Sequence, residues 1–308
     1  MENIPFKLNN GEVKKLIIWD CSAPARAVML IIHGMSEHIE RYSRLAKALN
    51  KSGIAVAGFN LAGHGEELSK DNIGVFGPDG WNNMMGDVSN AHDILKSKYP
   101  DIPLVMLGHS MGSFLLRCYI MRFEDKLPDM LVLSGTGYYG KTIVRLGYVL
   151  AGLISLFTGK YKPSKLISSI VFPKDKKAKT AFDWLSRDTL EVERYIKDPL
   201  CGFPLSSGSY RDFFGGLMML TYEGSNNAVK PNMPVLFISG EMDPIGKGNG
   251  VKKVVENYNK SGYKNISVKL YPEARHELFN ELNRDSVTEE LTMWIDDSIE
   301  KISQAAQQ

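Results

Sequence analysis

The chain has 308 residues, 44% hydrophobic and 23% charged, with 28 glycines and 14 prolines, a globular composition that excludes disordered, collagenous and coiled-coil classes. Thirty-seven basic against 35 acidic residues leave a formal charge of +2, too small to hold a nucleic-acid backbone through counterion release, so no nucleic-acid partner is expected. Three cysteines, Cys21, Cys118 and Cys201, match no metal or redox spacing, and residues 1–10 lack the basic start and apolar run of a secretory signal, which together predict a cytoplasmic protein.

Short runs rich in Val, Ile and Leu alternate with amphipathic stretches, the pattern of parallel strands joined by helices. In chain order, an antiparallel lead-in strand is expected at 13–20, a strand at 28–33, a helix at 41–52, a strand at 54–60, a helix at 81–98, a strand at 104–108, a helix at 111–122 and a strand at 131–134. The alternation lapses from 137 to 230, then resumes with a strand at 235–240, a helix at 250–259, a strand at 267–271 and a helix at 287–305. The predicted fold class is therefore α/β, a mostly parallel central sheet flanked by helices. Residues 1–136 and 231–308 form its core and 137–230 an inserted helical cap.

Within the cap, residues 141–179 carry nine Lys or Arg and a single acid, Asp175, while the rest of the chain carries a net charge of −6. Basic charge interleaved with Leu, Ile and Phe suits peripheral contact with an anionic inner membrane surface; the alternative is a solvated basic face beside the roof of an apolar pocket. The longest apolar stretch, 146–157, is interrupted by Gly147, Gly152 and Ser155 and is shorter than the ~20 residues of a membrane span.

The sharpest chemical signal is Gly108-His109-Ser110-Met111-Gly112, a G-x-S-x-G motif set between a strand and a helix. The glycines allow a sharp turn that lifts the serine hydroxyl into solvent, and the helix N-terminus behind it favours developing negative charge. A serine nucleophile needs a base, and a carboxylate that fixes the tautomer of that base. In the chain order nucleophile, acid, base, Asp243 and His276 fit, each just past a predicted strand, where a parallel sheet faces its ligand. Glu241 is a rival acid, and Ser36 a rival nucleophile without an elbow around it. Two backbone N–H groups must receive the tetrahedral oxyanion; Met111, after the serine, and Met35, in a turn shaped by His33 and Gly34, are the candidates.

Two formal motifs point elsewhere and are set aside. Gly135-Thr136-Gly137-Tyr138-Tyr139-Gly140 is a G-x-G-x-x-G, but residues 141–174 contain no acid for a ribose, so the glycines read as the hinge into the cap. His276-Glu277 starts a zinc motif whose second histidine position is Asn280, so no metal is expected there.

Further segments stand around these residues: His33-Gly34-Met35-Ser36-Glu37-His38 followed by Arg41-Tyr42, the turn Gly63-His64-Gly65, Arg275-His276-Glu277, and Ser186-Arg187-Asp188 with Tyr195, Asp198 and Pro199. Together with the serine motif, over residues 13–294, they resemble the α/β-hydrolase superfamily, specifically its monoacylglycerol lipase and lysophospholipase-like branch. The resemblance implies Ser110 as nucleophile, Asp243 as acid, His276 as base, no cofactor and a hydrophobic cap over an acyl pocket. It implies a carboxylester hydrolase acting through an acyl-enzyme on single-acyl-chain lipids such as monoacylglycerol or lysophospholipid. Asn60 departs from the aspartate that many members carry before the G-H-G turn. Two other functions stay open: a peptidase or amidase of the proline iminopeptidase-like type, whose amine recognition would use acids such as Glu191, Glu193, Asp198 and Asp212, and a non-catalytic binding protein of the same fold.

Overall fold

Runs such as Ala27–Ile32 and Val235–Gly240 are buried at every position, as strands covered on both faces must be. The computed structural model describes residues 1–66, 68–69, 71–173, 178–222, 230–246 and 249–305. In it the strands β1 (Glu2–Lys7), β2 (Val13–Trp19), β3 (Ala27–Ile32), β4 (Ile54–Gly58), β5 (Leu104–His109), β6 (Met130–Ser134), β7 (Val235–Gly240) and β8 (Ile266–Tyr271) form one sheet ordered β1-β2-β4-β3-β5-β6-β7-β8. The two pairings made by β2 are antiparallel and the others parallel. Helices α1 (Ser43–Lys51), α2 (Gly80–Lys98) and α3 (Met111–Arg122) follow β3, β4 and β5. Between β6 and β7 stand α4 (Lys141–Thr158), α5 (Lys165–Val171), α6 (Thr189–Lys197) and α7 (Ser207–Met219), and α8 (Asn249–Lys260) and α9 (Arg284–Ala305) complete the chain.

Two apolar cores sandwich the sheet. Trp81, Met84, Leu115 and Val254 place α2, α3 and α8 on one face, and Leu45, Leu49, Val287 and Leu291 place α1 and α9 on the other. The sheet is thus covered as its unbroken apolar strands require. β1 was not anticipated from sequence; it is an edge strand of which only Phe6 is buried, and its position lets it carry Pro5, whose missing N–H faces no partner strand. The expected helix at 41–52 divides into a 3₁₀ turn, Ile39–Tyr42, and α1.

The stretch judged too short to span a membrane needs correction. α4 starts at Lys141 and, over 18 residues of mean hydropathy 1.4, is long and apolar enough to do so by length and composition. Its small residues do not interrupt it because they serve packing. A Cβ on Gly147 would lie 2.5 Å from Phe214 of α7, Gly152 faces Arg211, and the Ser155 hydroxyl donates to the Ala151 carbonyl. α4 lies along α7. Its outer face is nonetheless bare, with Leu156 81% and Phe157 87% exposed. Lys174, Asp175, Lys176 and Lys177 of the basic segment lie outside the described residues.

Candidate active site

β5 runs straight into Ser110, which adopts φ 51° and ψ −118°, and α3 begins at the next residue. A positive φ on a non-glycine residue is strained backbone that survives only where its surroundings hold it. Here the Ser110 N–H donates to the Ser134 carbonyl at 2.9 Å. Neither flanking glycine has room for a side chain: a Cβ on Gly112 would stand 2.2 Å from the Ile32 carbonyl oxygen, and one on Gly108 2.6 Å from that of Gly112. The glycine spacing therefore lets the elbow press against β3.

Asp243 sits in the turn after β7 and His276 in the loop after β8, both buried. The Asp243 carboxylate lies 2.9 Å from His276 Nδ1, and also accepts from the Ile245 N–H at 2.8 Å and from the Ser239 hydroxyl at 3.3 Å. With Nδ1–H donating to Asp243, Nε2 is left as the basic atom of the ring. Burial disfavours the imidazolium, but the charges of Asp243, Glu277 and Glu37 outweigh it and lift His276 above the ordinary histidine value. Glu241, the rival acid, is exposed. The hydroxyl of Ser36, the rival nucleophile, is spent on the Phe203 carbonyl at 2.7 Å.

The His276 ring lies 4.6 Å from that of His109 and 5.0 Å from that of Trp184, in the segment between β6 and β7. Burial, then the nearby charge of His276, pushes His109 down to about 4, so His109 is neutral beside His276. His33, lowered by burial to about 3, donates from Nδ1 to the Gly34 carbonyl and accepts from the Leu61 N–H at Nε2. His64, held neutral by burial, accepts the Ser36 N–H. These two histidines shape the 33–36 turn as uncharged hydrogen-bond relays. Asn60 accepts from the Ile39 N–H at 2.9 Å and turns its amide nitrogen toward Glu40, a place where an aspartate would face another carboxylate.

Sequence reasoning assigned no role to the ion cluster beneath this turn. Glu37 accepts from the Gly34 N–H at 2.6 Å, from the Tyr42 hydroxyl at 3.0 Å and from Arg41 at 2.6 Å. The Arg41 guanidinium also forks onto both oxygens of Glu277, at 2.7 and 2.6 Å. Burial opposes the Glu277 charge, and Arg41 overrides it to hold the carboxyl below the usual range. Glu277 adjoins His276, so one guanidinium ties the turn carrying Met35 to the loop carrying His276. The E-H…R-Y spacing and the segment Arg275-His276-Glu277 were the traces of this cluster in the sequence.

Ser110, Met35, Met111 and His276 line one cavity of about 530 Å³. One part of its wall is polar, with Glu37, Tyr195 and Glu277; another is apolar, with Phe114, Phe213 and Leu217 from α3 and α7 and Leu146 and Leu150 from α4. A pocket of this size with few polar groups fits a ligand having one polar end. None of the four acids considered for amine recognition lines it. Glu191 pairs with Arg44 and Arg194, Glu193 with Lys197, Asp198 with His38, and Asp212 accepts the Gly80 N–H.

The family model described as serine aminopeptidase, S33, matches residues 23–283. The chain is 27% identical over 302 residues to a monoglyceride lipase homolog of monkeypox virus, covering 95% of this chain and 97% of the relative. It is 26% identical over 283 residues to a monoacylglycerol lipase of Mycolicibacterium smegmatis, covering 90% and 91%. The structure superposes on a thermostable carboxyl esterase from Bacillus coagulans, solved in complex with glycerol, with a TM-score of 0.88 at 26% identity, covering 97% of this chain and 98% of that one. The chain belongs to the serine aminopeptidase S33 family, in the monoacylglycerol lipase-like branch of the α/β-hydrolases, and is a serine ester hydrolase.

Proposed function

We propose that this enzyme hydrolyses neutral single-chain glycerides, monoacylglycerols foremost, through an acyl-enzyme on Ser110. The observation that carries this reading is the two-sided cavity, which sets apolar walls and a small polar region around the Ser110–His276 pair. Ser110 Oγ attacks the ester carbon while His276 Nε2 takes its proton, and Asp243 stabilises the imidazolium. The Met35 and Met111 N–H groups receive the oxyanion. His276 then protonates the departing glycerol oxygen, and a water activated by the same imidazole releases the fatty acid.

The leaving-group side favours a neutral headgroup. Glu37 and Glu277 share the one guanidinium of Arg41, so the local balance is negative. A phosphate there would face carboxylates. The bacterial esterase with bound glycerol supports this choice, as do the monoglyceride lipases among the relatives.

We read the 137–230 insertion as a cap that docks on a membrane. Ile143, Leu146, Leu150 and Ile170 are exposed and also line the cavity, so an acyl chain could enter from a lipid phase without crossing water. Exposed Lys141, Arg145, Lys160, Lys162 and Lys165 would meet anionic headgroups, consistent with a cytoplasmic enzyme working at the inner membrane surface. A peptidase reading loses support because the candidate amine-binding acids are engaged elsewhere.

The test is hydrolysis of p-nitrophenyl esters of increasing chain length, beside monoacylglycerol, lysophosphatidylcholine and aminoacyl anilides, with Ser110→Ala as control. The expected result is Ser110-dependent activity that rises with chain length and prefers monoacylglycerol. Activity confined to short esters would refute the lipid assignment, and anilide cleavage would restore the peptidase.

A further inference from the structure

Away from the catalytic cavity, the core and the insertion meet at His38, which precedes the 3₁₀ turn Ile39–Tyr42, and at Asp198, which ends α6. His38 Nε2 faces Asp198 Oδ2 at 2.9 Å and its Nδ1 faces Glu40 Oε2 at 2.8 Å. Cys201 lies three residues beyond Asp198, and its Sγ, the Asp198 carboxylate and a His38 ring nitrogen all fall within 4.8 Å of one another. The His38 side chain is 11% exposed and that of Asp198 31%. Cys201 is half-buried, and it is a free thiol.

We propose that His38 Nε2, Asp198 and Cys201 Sγ bind a borderline-soft divalent ion of the zinc type, which pins the insertion to the core. Three features support this. The donor set of imidazole, thiolate and carboxylate is the one zinc selects, and three protein ligands leave a fourth tetrahedral position for water. Glu40 on the far ring nitrogen supplies the carboxylate–histidine arrangement that orients a metal-bound imidazole and raises its basicity. A cleft of about 320 Å³, whose wall also carries Arg41, Arg44 and Arg194, reaches His38, Glu40 and Asp198.

Of the guanidinium groups lining this cleft, Arg41 is paired with Glu37 and Glu277, and Arg44 and Arg194 share Glu191.

Occupancy has a route to the catalytic turn. Tyr195 and Gly202, which flank the ligand segment, both donate to the Ser36 carbonyl at 2.9 Å, next to Met35. An ion holding Asp198 and Cys201 would steady this contact, and slower thermal inactivation is expected.

The experiment titrates the chelator-treated full chain with Zn²⁺ and Co²⁺. The expected result is one ion bound per chain with release of protons, tetrahedral Co²⁺ absorption with a thiolate-to-cobalt charge-transfer band, and a raised melting midpoint. Cys201→Ser should abolish the charge-transfer band, and His38→Ala the saturable binding. Glu40→Gln should weaken affinity about 10–100-fold while keeping the band. Cys21→Ser, remote from the site, should change nothing. The unliganded melting midpoint of each variant establishes that it folds. Absence of the charge-transfer band in the wild type, or its persistence in Cys201→Ser, overturns the proposal, as does unchanged binding in His38→Ala.

Discussion

Arg41→Ala tests whether the ion cluster under the catalytic turn is integral to the site. The substitution removes the guanidinium that contacts Glu37 at 2.6 Å and Glu277 at 2.6–2.7 Å and leaves two carboxylates, each with a side chain under 7% exposed, facing one another. Breaking a buried pair costs about 3–5 kcal/mol because the remaining charge is uncompensated. With about 2.1 cal/mol/K of unfolding entropy per residue over this chain, that loss lowers the melting midpoint by about 5–8 °C.

The pH dependence identifies the cause. In the wild type, Glu277 is held below the usual carboxylate range, so its contribution to stability is complete above the unfolded value of about 4.3 and fades as pH falls through the lower folded value. In the variant, burial of Glu277 is no longer opposed by the guanidinium and raises its carboxyl instead, so the penalty is largest at neutral pH and disappears as it protonates. The stability gap between the two proteins should narrow on acidification. Turnover should also fall, by about 10²-fold, because Gly34 and the His276 loop lose their common anchor. Arg41→Lys restores a charge without the fork and should recover stability more than turnover. Chemical and thermal unfolding across pH, with ester turnover alongside, measures all of this. A loss within about 1 kcal/mol, the worth of a solvated pair, or a gap that ignores pH would refute the argument.

Ser110→Ala should remove nearly all turnover while leaving the melting midpoint close to that of the wild type, and residual activity above about one hundredth would point to another nucleophile. Because His276 must be neutral to accept the serine proton and its value is raised above 6.5, kcat/KM should rise with pH through a midpoint above 6.5; Asp243→Asn should lower both the midpoint and the rate, and an unshifted profile would separate Asp243 from the base. Gly112→Ala, whose Cβ would stand 2.2 Å from the Ile32 carbonyl, should destabilise the fold by about 4 kcal/mol or more in denaturant titration. Charging the bare end of α4 with Leu156→Asp and Phe157→Asp should weaken sedimentation with anionic vesicles and leave short-ester turnover unchanged; undiminished vesicle binding would remove the proposed docking face.

The architecture was legible in the amino-acid pattern alone. Strands buried on both faces need unbroken apolar runs, so β3 to β7 were readable to within a residue or two of their ends, and β7 matched in full. The elbow was readable for the same local reason, since a strand, two glycines around a serine and a helix must lie together to form it. Edge strand β1 was missed because one exposed face and a proline leave little periodic signal. Asp243 was named as the acid through the resemblance, but its 2.9 Å contact with His276 Nδ1 joins loops 33 residues apart and leaves no local signal along the chain. The same holds for Arg41, whose partners lie 4 and 236 residues away, and for the meeting of His38 with Asp198 across 160 residues. Local pattern records which face of an element is buried; pairing between distant charged side chains leaves no periodicity, and only the packed tertiary structure brings them together.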